Sequence, residues 1–249
     1  MAKLNEILDA CDSTNELLKS VYDSNLENGT WVAAKKQLRG KGRGQHHWES
    51  LEGNIHLSIF FSQVPSNCLT WIPLKTALTL RQFLQFYLTR HDIQVKWPND
   101  LLVNDQKIAG VLCEVVSSFN ESSHDLVCGI GINVNQRPKE MEVQKKSTSL
   151  MELMGSKLNC EEMTHELAET LKTEIQNFNF NEIQSLRKAY EKAQWLKKGD
   201  PIKWYENHKQ KEGTVLGLGK YGDLTVKEIK TDKIRHLFGE EVEKLLRRV

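Results

Sequence analysis

The stretch QLRGKGRGQHHWES, from Gln37 to Ser50, combines a flexible backbone with positive charge. Three glycines within five residues alternate with Lys41 and Arg43, and no acid precedes Glu49. Glycine lets a main chain approach a ligand closely, and Arg and Lys donate charge-assisted hydrogen bonds to phosphate or carboxylate. The spacing is that of neither a P-loop nor a dinucleotide-binding turn. Taken alone, the loop is also compatible with a solvated turn or with a nucleic-acid contact. It is, however, a long stretch without Asp or Glu between two predicted strands, which favours a loop that covers a ligand.

A second stretch, VKWPNDLLVNDQKIAGVLCEV, places polar groups at the ends of apolar strands. Asn99 and Asp100 follow a Trp-Pro pair, which favours an extended turn at a strand end. Lys107 begins the next apolar strand, after a hairpin turn that Asn and Asp favour. Asn99 and Asp100 also fit a simple turn. Lys107 fits either a solvated strand end or an anion-binding lysine.

A third stretch, CGIGINVN, alternates Gly129 and Gly131 with Ile and Val and ends in Asn133. Glycine inside a strand often marks the close approach of a ligand. The Asn133 amide has the donors and the acceptor needed to bind an adenine edge. A β-bulge with a polar strand end is the alternative interpretation.

The elements that position these stretches are short strands and few helices. Asp12 or Ser13 caps a predicted helix, and a long helix is predicted over LTWIPLKTALTLRQFLQFYLTRH. The strands follow one another too closely for repeated βαβ crossovers, so we predict an α+β fold with a mixed, mostly antiparallel sheet. The predicted domains are residues 1–196 and a small all-β unit over 197–249.

The composition excludes several classes of protein. The 249 residues carry a formal net charge of +1, which makes the basic loop a local patch and not part of a nucleic-acid-binding field. Five scattered cysteines without a C-x-x-C pair predict reduced thiols in the cytoplasm and no zinc site. A signal peptide and a membrane-spanning run are not expected.

The motif order is more specific than any single motif. DSTN, RGKGRGQHHW, GNIHLSI, KWPNDLLVNDQKIAGVLCE, GIGINVN and a terminal FGEEV follow one another along essentially the whole chain. This order closely resembles the biotin protein ligase family, also called biotin–[acetyl-CoA-carboxylase] ligases. The resemblance implies a class II synthetase-like catalytic domain followed by an SH3-like barrel.

The resemblance also implies the activity, the substrates and the partner. Such ligases use Mg-ATP to convert biotin into biotinyl-5′-AMP, and then pass biotin to a lysine of a biotin carboxyl carrier protein domain. Mg²⁺ is the implied cofactor. Because DSTN begins at residue 12, we expect no DNA-binding domain and no gene regulation. A monomer and a homodimer are both compatible with the family.

The resemblance assigns roles to individual positions. The implied biotin-binding residues are Ser13, Thr14, Asn15, Gln37, Gly40, Lys41, Gly42, Arg43 and Lys107. The implied ATP- and adenylate-binding residues are Lys41, Arg43, Trp48, Asn99, Lys107, Gly129, Gly131 and Asn133. The implied catalytic residues are Arg43, Lys107 and Asp100, and Asp100 either helps the acceptor lysine lose its proton or binds Mg²⁺.

The chain departs from the family pattern in the loop, where Lys41 takes a position that is commonly arginine. Lysine does not make the bidentate contact of arginine. Two rival functions remain: a lipoate ligase, which shares the acyl-adenylate chemistry, and a nucleic-acid-binding module that uses the basic loop. Lipoate competition would test the first rival, and a steep salt dependence of nucleic-acid affinity would test the second.

Overall fold

The larger of two β-sheets has seven strands in the order β1-β2-β3-β7-β6-β5-β4. The structure, a computed structural model, describes residues 4–247 apart from positions 24, 45, 121 and 139–146. The strands are β1 (Glu6–Cys11), β2 (Trp31–Gln37), β3 (Ile55–Pro65), β4 (Ile93–Lys96), β5 (Asp100–Val103), β6 (Gln106–Asn120) and β7 (Ser123–Ile132).

The pairing within this sheet is parallel between β1 and β2 and antiparallel elsewhere. The predicted mixed, mostly antiparallel α+β fold is therefore confirmed. The hairpin turn between β5 and β6 is confirmed too, since Asn104 and Asp105 have φ values of 51° and 61°. Strand β1 was not predicted, because it lies at the sheet edge and its residues are all at least partly exposed, which removes the apolar alternation.

Helices cover the two faces of the sheet unequally. The helices are α1 (Thr14–Ser20), α2 (Ile72–Tyr87), α3 (Leu150–Met154), α4 (Cys160–Gln176) and α5 (Ile183–Ala193). On one face, α2 and α4 pack against the sheet over the main core, which includes Leu57, Ile59 and Ile130. On the other face, Leu18 of α1 packs in a smaller cluster with Val32, Phe60 and Val127. This second face is therefore only partly covered by a helix.

The smaller sheet is antiparallel, with the strand order β11-β10-β9-β8-β12. Its strands are β8 (Pro201–Glu206), β9 (Lys209–Leu218), β10 (Leu224–Glu228), β11 (Ile234–Leu237) and β12 (Lys244–Arg247). Across the described ranges its edge strands do not pair with each other, so it is an open sheet and not a closed barrel. The domain boundary at residue 196 stays a prediction.

The two sheets are joined by buried polar contacts. The Trp97 indole Nε1 donates a 2.9 Å hydrogen bond to the Gly222 carbonyl oxygen, between β9 and β10.

Within the described part of the chain, no helix is long and apolar enough to cross a membrane. All five cysteines are free thiols, as predicted.

Candidate active site

One transverse row of residues crosses five strands of the larger sheet on the face that α1 only partly covers. His56 of β3 lies opposite Gly131 of β7, and Gly131 lies opposite Gly110 of β6. Gly110 lies opposite Asp100 of β5, which lies opposite Lys96 of β4. Because directly opposed residues point to the same face of a sheet, the row places two charged side chains and a histidine around a glycine floor.

Beside this row, the N-terminus of α1 places the uncharged polar side chains of Ser13, Thr14 and Asn15 together, and we call this group the neutral pocket end. Ser13, Thr14 and Asn15 are each less than 5% exposed. Thr14 donates to Gln37 Oε1 from its main-chain nitrogen at 2.8 Å and from its hydroxyl at 3.1 Å. Gln37 Nε2 in turn donates to Ser50 Oγ at 3.0 Å. These contacts hold the helix start against both ends of the glycine-rich loop.

The Asn15 amide lies directly over Gly129. Its Nδ2 donates to Glu114 Oε2 at 2.7 Å and to the Leu112 carbonyl oxygen at 3.3 Å. Its Oδ1 lies 2.5 Å from the Ser58 hydroxyl. A Cβ atom at position 129 would overlap this Oδ1. The absence of a side chain at Gly129 therefore makes room for Asn15, and the adenylate-binding role implied for Gly129 stays a prediction.

The glycine-rich loop folds back on itself above the sheet. The Gly42 amide donates to the His46 carbonyl at 2.8 Å, and the Trp48 amide donates to the Gly40 carbonyl at 2.9 Å. A Cβ atom at Gly40 would lie 2.5 Å from the Trp48 carbonyl oxygen, so this turn requires glycine. Lys41 forms a 2.9 Å ion pair with Glu16 of α1. The loop is thus attached to the same helix that supplies Asn15.

Trp48 covers the centre of the row. Its indole occupies the space that a side chain at Gly131 would need, and it also approaches Gly110. The ammonium of Lys107 lies 5.1 Å from the centre of the Trp48 ring, a cation–π distance. The absence of a side chain at Gly131 therefore makes room for the Trp48 indole, and the adenylate-binding role implied for Gly131 stays a prediction. Trp48 therefore packs between the glycine-rich loop and the sheet.

Positive charge is concentrated at the Asp100 end of the row. Lys107 Nζ lies 2.5 Å from Asp100 Oδ1. Burial lowers the pKa of Lys96; Asp100 opposes this shift, while the charges of Lys107 and Arg43 add to it. Burial also lowers the pKa of Arg43, again opposed by Asp100. Three cations thus surround one carboxylate, and this excess favours binding of an anion with more than one negative charge.

Arg43 is held by the smaller sheet. Its Nη1 and Nη2 donate to the carbonyl oxygens of Gly239 and Val242, both at 2.6 Å. These carbonyls lie between β11 and β12. These two hydrogen bonds fix the guanidinium at the junction of the two sheets.

The Biotin/lipoate A/B protein ligase family matches residues 8–133, which is half of the chain. The chain belongs to this family. The matched segment contains α1, the glycine-rich loop and the whole transverse row.

Individual members of the biotin/lipoate ligase family show how far the likeness extends. The bifunctional ligase/repressor BirA of Bacillus subtilis is 34% identical over 156 residues, which are 61% of this chain and 47% of that protein. The biotin–[acetyl-CoA-carboxylase] ligase of Mycobacterium tuberculosis is 31% identical over 147 residues, which are 57% of this chain and 52% of that protein. The chain spans about half the length of these relatives.

A solved structure covers far more of the chain. The biotin protein ligase from Aquifex aeolicus in complex with biotin and ATP has a TM-score of 0.78 to this fold at 26% identity. The alignment covers 98% of both chains. The likeness therefore includes the smaller sheet, beyond the segment that the family matches.

Two asparagines of the ligase motifs are engaged by the main chain. Asn99 Nδ2 donates to the Val111 carbonyl at 2.6 Å, so its amide closes the turn before β5. Asn133 Nδ2 donates to the Thr148 carbonyl at 3.0 Å, and Asn133 is only 2% exposed. The Asn133 Oδ1 atom, however, has no hydrogen-bond partner among the residues that the structure describes. That oxygen is itself buried, and the adenine-binding role implied for Asn133 stays a prediction.

The sequence analysis did not single out three residues of this candidate site. Lys96 belongs to KWPND, but its orientation depends on the register between β4 and β5. Glu114 contacts Asn15 across 99 residues of chain. His56 is 1% exposed, and neither ring nitrogen has a partner within the described residues. Alternation along β3 was the one available signal for His56, since it places this histidine on the face opposite Ile55 and Leu57.

Proposed function

We propose that this protein is an ATP-dependent biotin–protein ligase. The arrangement of Arg43, Lys96 and Lys107 around Asp100, next to the neutral pocket end at Asn15, carries the proposal. It provides one end for an uncharged polar ring system and another for a carboxylate and a phosphate. The Aquifex aeolicus ligase, which binds biotin and ATP, supports the same pairing of ligands.

In the first step, a carboxylate oxygen of biotin forms a bond to the α-phosphorus of ATP. The bond between the α- and β-phosphates breaks, pyrophosphate leaves, and biotinyl-5′-AMP remains. Two anions must approach each other, so fixed cations at the meeting point lower the barrier by positioning and charge stabilisation. Lys107 holds the biotin carboxylate, while Arg43 and Lys96 neutralise phosphate charge. Trp48 covers the site and limits hydrolysis of the intermediate by water.

In the second step, the amine of an acceptor lysine attacks the acyl carbon of biotinyl-5′-AMP. A carbon–nitrogen bond forms, the bond to the AMP oxygen breaks, and the amine loses a proton. Asp100 is the carboxylate of the row and is partly exposed, so it is our choice for accepting that proton. Its 2.5 Å contact with Lys107 also orients the lysine for the first step.

Magnesium enters this scheme as part of the substrate Mg-ATP. No group of three or more His, Cys, Asp or Glu side chains within the described residues is arranged to hold a metal ion. Asp100 is a single carboxylate paired with Lys107. Mg²⁺ is held by one or two carboxylates together with substrate phosphates, so this carboxylate fits contact with the ion of Mg-ATP as well as the proton-accepting role.

The acceptor we propose is the biotin carboxyl carrier domain of a biotin-dependent carboxylase. The name of the Mycobacterium tuberculosis relative, biotin–[acetyl-CoA-carboxylase] ligase, supports this choice. The likeness to the Aquifex aeolicus ligase over 98% of both chains supports a ligase that uses both sheets.

The decisive test is pyrophosphate release from purified protein with Mg-ATP and biotin, with lipoate in a parallel reaction. We expect release with biotin, limited to about one turnover without a carrier domain and continuous once the carrier is added. A single turnover is expected without the carrier because the adenylate stays bound until an amine consumes it. Reactions that lack biotin, or that contain the carrier without ATP, are the controls.

Two results would contradict the proposal in different ways. Release with lipoate and not with biotin would make the chain a lipoate ligase, the rival within the same family. The absence of release with either acid, from folded protein supplied with a carrier, would exclude both ligases.

A further inference from the structure

An unbroken chain of charged contacts connects the two ends of the site. Glu114 accepts a hydrogen bond from Asn15 through Oε2 at 2.7 Å and contacts Lys19 Nζ through Oε1 at 2.6 Å. Lys19 contacts Glu16 Oε1 at 3.0 Å, and the same oxygen contacts Lys41 Nζ of the glycine-rich loop at 2.9 Å. A residue at the neutral pocket end is thereby linked to the loop that covers the phosphate end.

We propose that Glu114 is a positioning residue that fixes which way the Asn15 amide faces, and that Lys19 and Glu16 extend this constraint to the loop. The inference rests on the proposed function, because it assigns the Asn15 end of the site to biotin. None of the motifs includes Glu114 as a site residue, because its contact with Asn15 appears only when β6 and α1 come together.

The orientation follows from the chemistry of the partners. A carboxylate only accepts hydrogen bonds, so Glu114 must face the NH₂ group of Asn15. The Oδ1 atom then faces Ser58 and lies above Gly129. A carbonyl oxygen can accept two hydrogen bonds, so Oδ1 has capacity for an N–H of a bound ureido ring. Glu114 thus makes Asn15 an acceptor for the substrate.

Neighbouring charges favour the ionised forms of Lys19 and Glu16 in this series of contacts. Burial lowers the pKa of Lys19, but its hydrogen bonds to Glu114 and Glu16 outweigh burial and raise the pKa overall. Hydrogen bonds from Lys41 and Lys19 lower the pKa of Glu16. Lys19 and Glu114 are about one-quarter exposed, so solvent screens their contact less than it screens a surface pair.

Replacing Glu114 by Gln tests the orientation with almost no change in shape. The new amide must direct its oxygen at the Lys19 ammonium, which leaves its NH₂ group facing the NH₂ group of Asn15. The Asn15 amide then turns over and presents donors where biotin also has donors. We expect the KM for biotin to rise about tenfold or more in the pyrophosphate assay, with kcat changed less than about threefold.

Two further variants separate this role from a general structural one. In an Asn15→Ala background, Glu114→Gln should change the KM for biotin by less than about twofold, because Glu114 acts through Asn15. Lys35→Met, which breaks an exposed 2.7 Å ion pair with Asp9, should leave both kinetic constants unchanged. A tenfold effect of Glu114→Gln that persists without Asn15 would overturn the positioning role.

The link to the loop has a readout that requires no activity. Lys19→Met keeps the contact between Glu114 and Asn15 but removes the connection to Glu16. We expect trypsin to cleave after Arg39, whose side chain is 80% exposed, at least about threefold faster in Lys19→Met and in Glu114→Gln than in wild type. Lys35→Met should be cleaved at the wild-type rate.

The outcomes distinguish the two proposals. Wild type without biotin-dependent pyrophosphate release would contradict the proposed function, while the cleavage rates would still decide the link to the loop. Unchanged cleavage in both variants would overturn that link, and an unchanged KM for biotin in Glu114→Gln would overturn the positioning of Asn15.

Discussion

Lys107→Met is expected to slow pyrophosphate release from Mg-ATP and biotin by about 10²- to 10³-fold. Lys107 is one of three cations around Asp100, and it is the one that directly contacts that carboxylate, at 2.5 Å. Removing one preorganised positive group from the point where two anions meet costs about 3–4 kcal/mol of transition-state stabilisation. Single-turnover measurement of pyrophosphate is the appropriate assay, because it isolates the first step from transfer.

Lys203→Met is a matched control for this substitution. Lys203 is 33% exposed, against 36% for Lys107, and it also pairs with an acid on a neighbouring strand, Glu212 at 3.3 Å. It lies in the smaller sheet, outside the row, so we expect less than about a twofold change in rate.

The substitution of Lys107 also leaves Asp100 unpaired, and a double variant accounts for this. If the loss reflects an unbalanced carboxylate, Lys107→Met combined with Asp100→Asn will recover most of the rate. If it reflects the missing cation, as we expect, the double variant will stay at least about 10²-fold slow. A single Lys107→Met variant with a rate near that of wild type would contradict the assignment of Lys107.

A second large effect is expected on stability at low pH, and it originates in His56. Burial lowers the pKa of His56 from 6.5 to about 4. The unfolded chain therefore binds a proton at His56 between pH 6.5 and 4, while the folded protein does not. The contribution of the neutral histidine is fully present above pH 6.5 and is lost as the pH falls towards 4, by about 3 kcal/mol in all.

The comparison of wild type with His56→Phe isolates this effect from the titration of carboxylates. Between pH 7.5 and pH 4.5, the free energy of unfolding of wild type should fall by about 2–3 kcal/mol more than that of the variant, as measured by urea denaturation. His208→Gln is the control, since His208 is 95% exposed, and it should follow wild type. Parallel curves for wild type and His56→Phe would show that His56 does not titrate as its burial predicts.

The fold was predictable because its signals are local. The alternation of Ile55, Leu57 and Ile59 is the pattern of a strand and lies in β3, and Asn and Asp predicted the hairpin turn that the φ angles of Asn104 and Asp105 confirm. Strand β1 lacks such a signal, since it lies at the sheet edge with a partly exposed surface on both faces. Its position depends on parallel pairing with β2, which local periodicity does not report.

The site was predictable in its residue types and less so in its contacts. Glycine at 129 and 131 predicted the close approach of a ligand to the sheet, and the groups that lie there in the structure are the side chains of Asn15 and Trp48, from distant parts of the chain. The position of Lys96 depends on strand register, and that of Glu114 on a contact with α1. Residues that act through partners far along the chain leave no spacing pattern in the sequence.

The way Arg43 reaches the smaller sheet has a consequence for protein engineering. Arg43 binds carbonyl oxygens of Gly239 and Val242 and no side chain there. Every amino acid carries the same carbonyl, so this attachment constrains the path of the main chain and not the residue type. At Val242 the residue type is restricted by packing instead, since this side chain is 2% exposed and belongs to the main core. At Gly239 a new Cβ would meet the Pro98 ring at 3.2 Å, which restricts replacement to small residues. A chimera with a terminal sheet of unrelated sequence would keep Arg43 in place if its backbone followed the same course.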